Sequence, residues 1–538
     1  MSPFPLQTSG HQPAKRTAVD GGLIFDFGEE LVGSAAFTVH ARKTCGFDVF
    51  YGENRIEAER TKDFTCGWYH LPRDSFRAEP GTRTFRTPGR RAFRYLTFRP
   101  ATGEMLPEIS DVEAECRHYP LPDRGTFRCS DPLLNKAWEL SERTTRLCMQ
   151  QYYEDGVKRD GLLWIGDYRV QFLCNTLLFG DTALARKSLP MIAQSTRPDG
   201  IVPACAVVGG AHQHDTHINY MPNVLGKHSL DTLVILNYVT DFINAVREYI
   251  DFSGDPELLH ELWPVLEKQI HFIASLTCGR AAAPDFGMHL DSHGGTWQSR
   301  GVFAFQVLEA LDNAASLAGR MNAGPLIEAI RGSQGLHRDW IRTHLHFPGQ
   351  PLLRNDPDSD ETGYHVHTHA LLSGYMDRDA FLKARHMAAG RDGCFDPKIG
   401  MAQFWHLLAL CRAGSMQTAL AFIRRVSEYL IQHESTTCWE IIDPTHADKG
   451  GFTSDTVARS YCHGWSAAPA YLFPRFILGV EPLAPDMRSI RVRPLPGDLE
   501  WAEGSVPTPH GTIEIRWQQT GAGPHVVSEL PKEITHHA

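Results

Sequence analysis

Apolar and polar residues alternate in short runs over the first quarter of the chain, in GLIFDFG, SAAFTVHA, GFDVFYG, TRTFRT and AFRYLTFRP, and glycine, proline or charged turns separate the runs. A period of two puts one face of each run on a core and the other in water, so residues 22–125 read as the antiparallel strands of an N-terminal β-sandwich. Residues 1–21 read as a flexible lead-in. Near Ser130 the period lengthens: in SDPLLNKAWELSERTTRLCMQQYY the apolar positions recur three and four apart behind a Ser or Asp cap, the pattern of an amphipathic helix over 131–150. Further helices are predicted at 167–179, 181–195, 228–252, 255–276, 299–319, 323–343, 364–373, 378–388, 401–412, 415–432 and 457–472. Helices in pairs, joined alternately by short turns and long irregular loops, predict an (α/α)6 toroid over residues 126–480. An open solenoid is the alternative, but no fixed-period repeat runs through the segment. From Pro482 the alternation returns with Pro and Gly turns, so residues 481–538 are expected to form a small C-terminal β-sandwich packed on the helices. The chain is thus mainly α, with a β domain on either side of the helical one.

A chain of 538 residues is too long for one hydrophobic core, which agrees with this division. The formal charge of −10 disfavours nucleic acid, whose binding leans on an excess of Lys and Arg. A neutral small molecule or glycan is the expected ligand; 11 Trp and 15 Tyr agree weakly, because sugar rings stack on aromatic faces, although most large aromatics are core. The first residues hold no apolar run of signal-peptide length, and no window approaches a membrane span. The 12 Cys are scattered without a CxxC pair, as reduced thiols are, which makes the cytoplasm the default compartment. A homodimer stays open.

The stretch EDGVKRDGLLWIGDYR, residues 154–169, crowds Glu154, Asp155, Asp160 and Asp167 around Lys158, Arg159 and Arg169. Solvated loops mix charges in this way. Here, however, the apolar GLLWIG lies between two of the acids, and burial raises a carboxyl pKa while a neighbouring Arg lowers it, so such a loop can separate the protonation states of adjacent acids. In HESTTCWEIIDPTHADKGGF, Glu440 directly follows Trp439, with Asp443 and His446 nearby; this is either a general base held against an aromatic wall or a helix-capping feature. In ARSYCHGWSAAPAYLF, His463 and Trp465 open a helix rich in small residues. Two histidine clusters, His212/His214/His217 with Asp215 and His365/His367/His369, have the look of metal ligands. His-x-His is common without a metal, and both clusters, in loops between predicted helices, are expected to rim the pocket and help select the ligand instead. The Gly-rich VVGGAH lacks the Lys and Ser/Thr of a phosphate loop.

DGVKRDGLLWIGD resembles the signature loop of the α-L-rhamnosidases of glycoside hydrolase family 78, with counterparts at Asp155, Arg159, Asp160, Trp164, Gly166 and Asp167. TTCWE and CHGWSAAP resemble two further segments of that family, and DFGEELVGSAAFTV and GSVPTPHGTIEIRW resemble its flanking β domains, in the family's own order along the chain. The resemblance implies an inverting, exo-acting α-L-rhamnosidase with Asp160 as general acid and Glu440 as general base. It assigns Asp155 and Asp167 to the rhamnose hydroxyls and His463 to the substrate, and it implies a rhamnose-containing glycoside as partner and no cofactor or catalytic metal. Arg159, Trp164, Trp297 and Trp439 complete the expected substrate site, the three Trp as a wall for the C6 methyl; Trp297 could equally be core. One departure matters: many members have Glu where this chain has Asp160, one methylene shorter. Inversion calls for carboxyl groups about 6.5–9.5 Å apart, with room for a water. The rival readings are another inverting (α/α)6 glycosidase with a different sugar, and a non-catalytic glycan-binding protein.

Overall fold

The computed structural model describes the chain except residues 1–5, 67–68, 72, 122–124, 160, 207–232, 277–298, 392–393, 395, 443–458 and 538. Six helices, Ile165–Leu178, Leu236–Ser253, Arg300–Arg320, Tyr364–Leu372, Gly400–Arg412 and Ala468–Leu472, each pack on the next, and the last returns to the first. This closes a ring. Alternating with them in sequence, and outside them in space, stand Pro132–Cys148, Ala183–Gln194, Pro256–Ser275, Gly324–His344, Arg378–Ala388 and Met416–Gln432. The expected (α/α)6 toroid is therefore present, and composition explains which helix joins which ring. Gly400–Arg412 is buried on every side from Gly400 to Cys411, as an inner helix must be. Gly324–His344 buries only Leu326, Ile330, Ser333, His337 and Ile341, one stripe at helical spacing, and gives its other faces to water.

One helix departs from expectation. The window 457–472 reads as continuous, yet its described part is non-helical to His463, makes a single 3-10 turn at Gly464–Ser466, and then one α-turn at Ala468–Leu472 that passes into a π-turn, Phe473–Ile477. Pro469 and Pro474 cannot donate to a helical ladder, and a Cβ on Gly464 would lie 2.2 Å from Gln171 Cδ, so the chain approaches the first inner helix more closely than a helical side chain would permit.

The N-terminal β domain is built on one 20-residue strand, Gly22–Ala41, which bends at an irregularity between Asp26 and Leu31 and pairs along its length with Lys15–Val19, Arg91–Pro100, Glu108–His118 and Gly81–Arg86. Its inward faces enclose a phenylalanine core in which Phe37 meets Phe47, Phe76 and Phe98 edge to face. The flexible lead-in expected over 1–21 is not what residues 7–19 form: Gln7–His11 pairs with Glu108–His118, and Lys15–Val19 pairs back on Gly22–Asp26. Both strands are mostly exposed and polar, so the apolar period that marks a strand is missing although the ladder is complete. At the other end, Trp501–Thr508, Gly511–Thr520 and Gly523–Glu529 form the expected C-terminal sheet, and its fourth strand is Thr126–Cys129, which precedes the first helix of the toroid. Trp517 ties this sheet to the toroid by donating its indole N–H to Ile477 O at 2.7 Å.

Candidate active site

The loop opened by Glu154 is folded tightly against the segment that carries His463. Val157 N donates to Cys462 O at 3.1 Å, Gly464 N to Asp155 O at 2.8 Å, and Gly161 N back to Gly156 O at 3.0 Å. Gly156 makes this approach possible: a Cβ there would sit 2.3 Å from Arg159 O and 2.9 Å from the His463 ring. Gly161 takes φ +71°, a left-handed conformation that ends the turn. The chain then enters the short strand Leu163–Trp164, paired with Cys205–Ala206, and the inner helix Ile165–Leu178, whose first turn contains Asp167. Gly166 lies directly against Tyr238 of the next inner helix, since a Cβ would come within 2.3 Å of the Tyr238 ring.

Glu440 is buried, 2% exposed, at the mouth of the same helix ring. Its Oε1 accepts from Arg159 at 2.8 Å and from Arg459 at 3.0 Å, and its Oε2 accepts from the Ser460 amide at 3.0 Å. Burial alone would raise its pKa, but the two guanidiniums and the amide prevail and hold it at about 2. His463 contributes little to this at neutral pH, because burial pushes its own pKa down to about 3 and leaves the imidazole uncharged. The backbone around Glu440 is equally restrained: Glu440 N donates to Ser460 O at 2.9 Å, and the Trp465 indole donates to Glu440 O at 3.1 Å.

Asp155, Asp167 and His463 form the second half of the constellation. His463 Nε2 stands 3.9 Å from Asp155 Oδ2, and its Nδ1 stands 3.8 Å from Asp167 Oδ1. Asp155 Oδ1 accepts from Leu162 N at 2.9 Å, and Asp167 Oδ2 from the Tyr238 hydroxyl at 3.2 Å. The His463 ring stacks on Trp465 at 4.1 Å between centroids. Trp164 is half-buried and meets Tyr238 edge to face, its buried indole nitrogen without a hydrogen-bond partner among the described residues. Acids, an uncharged imidazole and two indoles thus converge on one end of the ring, an array suited to grip hydroxyls around an apolar ring face.

Of the residues expected from the sequence, Asp155, Arg159, Trp164, Asp167, Glu440 and His463 are brought together; Asp160 and Trp297 lie outside the described residues, as do Asp443 and His446. Trp439 is packed among Tyr429, His433 and Tyr461 and donates its indole N–H to Ser435 at 2.7 Å, so its ring is occupied in a small core that braces the segment before Glu440. His212, His214 and His217 lie outside the described residues. His365, His367 and His369 lie not in a loop but buried on the inner helix Tyr364–Leu372, where His365 and His369 line a small cavity with Trp405 and Trp465. His367 is structural: Nδ1 donates to Gly363 O at 2.7 Å, Nε2 accepts from Leu353 N at 3.0 Å, and burial lowers its pKa to about 4. Among the described residues no group of His, Cys, Asp and Glu is arranged to hold a metal ion, and no helix is long and apolar enough to cross a membrane.

Several residues at the site were not foreseen. Arg459 and Ser460 shortly precede His463, so proximity to YCHGW was an available signal; Trp465, singled out beside His463 in the sequence, is at the site as well. Glu53, Glu57 and Arg90 come from the β domain, and nothing local announces them. Arg90 ion-pairs with Glu154 and donates to Val157 O at 2.8 Å; Lys158 ion-pairs with Glu57 and, at 2.9 Å, with Glu53. Glu154, to which the resemblance assigns no role, therefore has a buried structural one. Burial lifts the pKa of both Glu53 and Glu154 to about 7, against the pull of Lys158 and Arg90 respectively.

Comparison with known proteins bears on this arrangement. Residues 122–276 match the family described as bacterial alpha-L-rhamnosidase 6 hairpin glycosidase domain, and residues 479–536 match the bacterial alpha-L-rhamnosidase C-terminal domain. An alpha-L-rhamnosidase of Alteromonas sp. (strain LOR) is 32% identical over 108 residues, 20% of this chain, and the match spans 12% of that relative's length. The GH78 family rhamnosidase of Bacillus sp. GL1 is similar in structure over 97% of this chain and 55% of its own, with TM-score 0.77 and 24% identity. The rhamnosidase of Klebsiella oxytoca with rhamnose bound is similar over 87% of this chain and 96% of its own, with TM-score 0.73 and 20% identity. Residues 122–276 and 479–536 of this chain thus match bacterial α-L-rhamnosidase family models, and the chain shares the fold of the solved rhamnosidase structures.

Proposed function

We propose that the protein is an α-L-rhamnosidase that removes terminal α-L-rhamnosyl residues from small glycosides or oligosaccharides with inversion. The observation that carries this reading is Glu440, a buried carboxylate kept ionised by Arg159 and Arg459 and facing the same end of the helix ring as Asp155, Asp167 and His463. In the proposed reaction Asp160, the acid after Arg159, gives its proton to the glycosidic oxygen as the C1–O bond breaks. A water attacks C1 from the opposite face and passes its proton to Glu440. The cluster of carboxylates stabilises the positive charge that develops on C1 and the ring oxygen.

A carboxylate as acidic as Glu440 in the free protein is a weak base. Its strength rises when a sugar hydroxyl takes over hydrogen bonds from Arg159, and this couples proton acceptance to an occupied site. Asp155 and Asp167 accept from the sugar hydroxyls, the uncharged His463 donates or accepts, and Trp164 lies against the C6 methyl. The scattered cysteines without a CxxC pair suit a reducing compartment, and the cytoplasm is the location proposed here.

The test is hydrolysis of p-nitrophenyl α-L-rhamnoside followed by proton NMR of the sugar first released. β-L-rhamnose is expected. α-L-rhamnose at early times would overturn inversion, and rhamnose binding without cleavage would overturn the enzymatic reading.

A further inference from the structure

Between the N-terminal β domain and the helix ring lies a patch of buried charge that the proposed chemistry does not use. It is centred on Glu53, in the turn after the strand Cys45–Gly52, and on Glu57 in the short helix Arg55–Glu59. Neither carboxylate has exposed side-chain surface. Burying two acids beside one lysine is costly unless each partner is held by several bonds, and the bonds made here have a consistent direction. Glu53 Oε2 pairs with Lys158 at 2.9 Å and accepts from Tyr461 N at 2.7 Å; its Oε1 accepts from the Ser460 hydroxyl at 3.4 Å. Glu57 Oε2 accepts from Glu53 N at 2.9 Å, and its Oε1 takes Lys158. One carboxylate of the β domain therefore holds two separate segments of the toroid.

Those two segments carry the grip on Glu440. Lys158 precedes Arg159, whose guanidinium donates to Glu440 Oε1, and Ser460, whose hydroxyl reaches Glu53, donates its amide to Glu440 Oε2. Glu53 and Glu440 thus bind opposite sides of the Ser460–Tyr461 backbone. We propose that Glu53 is a positioning residue for the reaction: it clamps the Lys158–Arg159 loop to the Arg459–His463 segment, so that the β domain, and not the toroid alone, sets the geometry of the base. This rests on the reading of Glu440 as the general base. A packing-only role would need the apolar fit of the domains but no acid at this position. The acid is instead the common partner of Lys158, Ser460 and Tyr461. Among the described residues Glu30, Glu57, Lys158, Tyr461 and Cys462 are the ionisable groups facing Glu53; Arg159, Arg459 and His463 face Glu440.

The experiment compares kcat, KM and the acid limb of the pH–rate profile for wild type, Glu53→Ala, Glu53→Gln, Lys158→Met and Glu440→Gln in the full chain. Glu53→Ala should lose at least about tenfold in kcat with KM changed by less than about threefold, the pattern of a misplaced catalytic group. With the grip of Arg159 and Ser460 loosened, Glu440 should move back toward an ordinary carboxyl pKa, so activity should fall off near about pH 4 where the wild type is still flat. Glu53→Gln, which keeps an acceptor for Tyr461 N, should recover most of the loss, and Lys158→Met should reproduce it from the loop side, a check that stands even if Glu53→Ala does not fold. Wild-type kcat and acid limb in Glu53→Ala and Lys158→Met, with or without a lower melting temperature, would overturn the proposal. Glu440→Gln separates the two ideas: if it keeps wild-type turnover, the base assignment fails; if it is inactive while Glu53→Ala is normal, the positioning role alone fails.

Discussion

Replacing Glu440 by Gln removes a charge while keeping the shape of the side chain, and its cost can be worked from the contacts. Arg159, Arg459 and the Ser460 amide donate to the carboxylate at 2.8, 3.0 and 3.0 Å and hold its pKa at about 2 in place of the ordinary 4.5. At about 1.4 kcal/mol per tenfold change in acidity, the ionised form is favoured over a neutral, amide-like one by about 3 kcal/mol. Only 2% of the residue is exposed, so water screens little of this. Because the folded pKa is the lower one, this stability is fully present above the unfolded value near 4.5 and is lost as the pH falls toward 2. Denaturant unfolding should therefore show Glu440→Gln less stable by about 3 kcal/mol at pH 7, with the gap closing as the pH is lowered below about 4.5. On p-nitrophenyl α-L-rhamnoside the same variant should lose about 10²–10⁴ in kcat, the usual worth of a general base. A stability gap that does not change with pH would refute the electrostatic account, and near-normal turnover would refute the catalytic one.

Asp160→Asn should lose about a hundredfold or more in kcat/KM on an alkyl rhamnoside but much less on the p-nitrophenyl glycoside, whose leaving group needs no proton; equal losses on both would remove Asp160 as the acid. His463 is held near pKa 3, so kcat/KM should show no limb from this imidazole between pH 5 and 8, and a limb in that range that disappears in His463→Gln would contradict its uncharged state. Gly156→Ala places a methyl 2.3 Å from Arg159 O and should cost about 1–3 kcal/mol by overpacking, together with most of the turnover; an unchanged melting curve and rate would show that the loop can relax.

Two levels of this protein were open to inspection in different degrees. The helices of the toroid were legible because each carries its own apolar spacing and caps, such as Asp131 and Asp255 accepting from the first-turn amides of the helices they precede. The chemistry-bearing loop was legible because Asp155, Arg159, Trp164, Gly166 and Asp167 fall within one short stretch, and its glycines are required wherever the backbone passes within contact of His463 or Tyr238. The polar strands Gln7–His11 and Lys15–Val19 were hidden, since their pairing comes from neighbours in space and not from their own pattern. So was the break in 457–472, where small residues read as helical although two prolines and the close approach to Gln171 prevent it.

The amino-acid sequence by itself determined where most helices and the apolar strands lie, which face of each turns inward, and which acids gather in one loop, because periodicity, capping and loop composition are local properties of the chain. Only the tertiary structure decided that Glu440 is an ionised carboxylate in the grip of Arg159 and Arg459, that His463 is uncharged between two aspartates, and that Glu53 of the β domain reaches the same backbone from behind. A pKa depends on burial and on charges within a few ångströms. Glu53 and Glu440 lie hundreds of residues apart in the chain, and only the folded backbone brings both to Ser460.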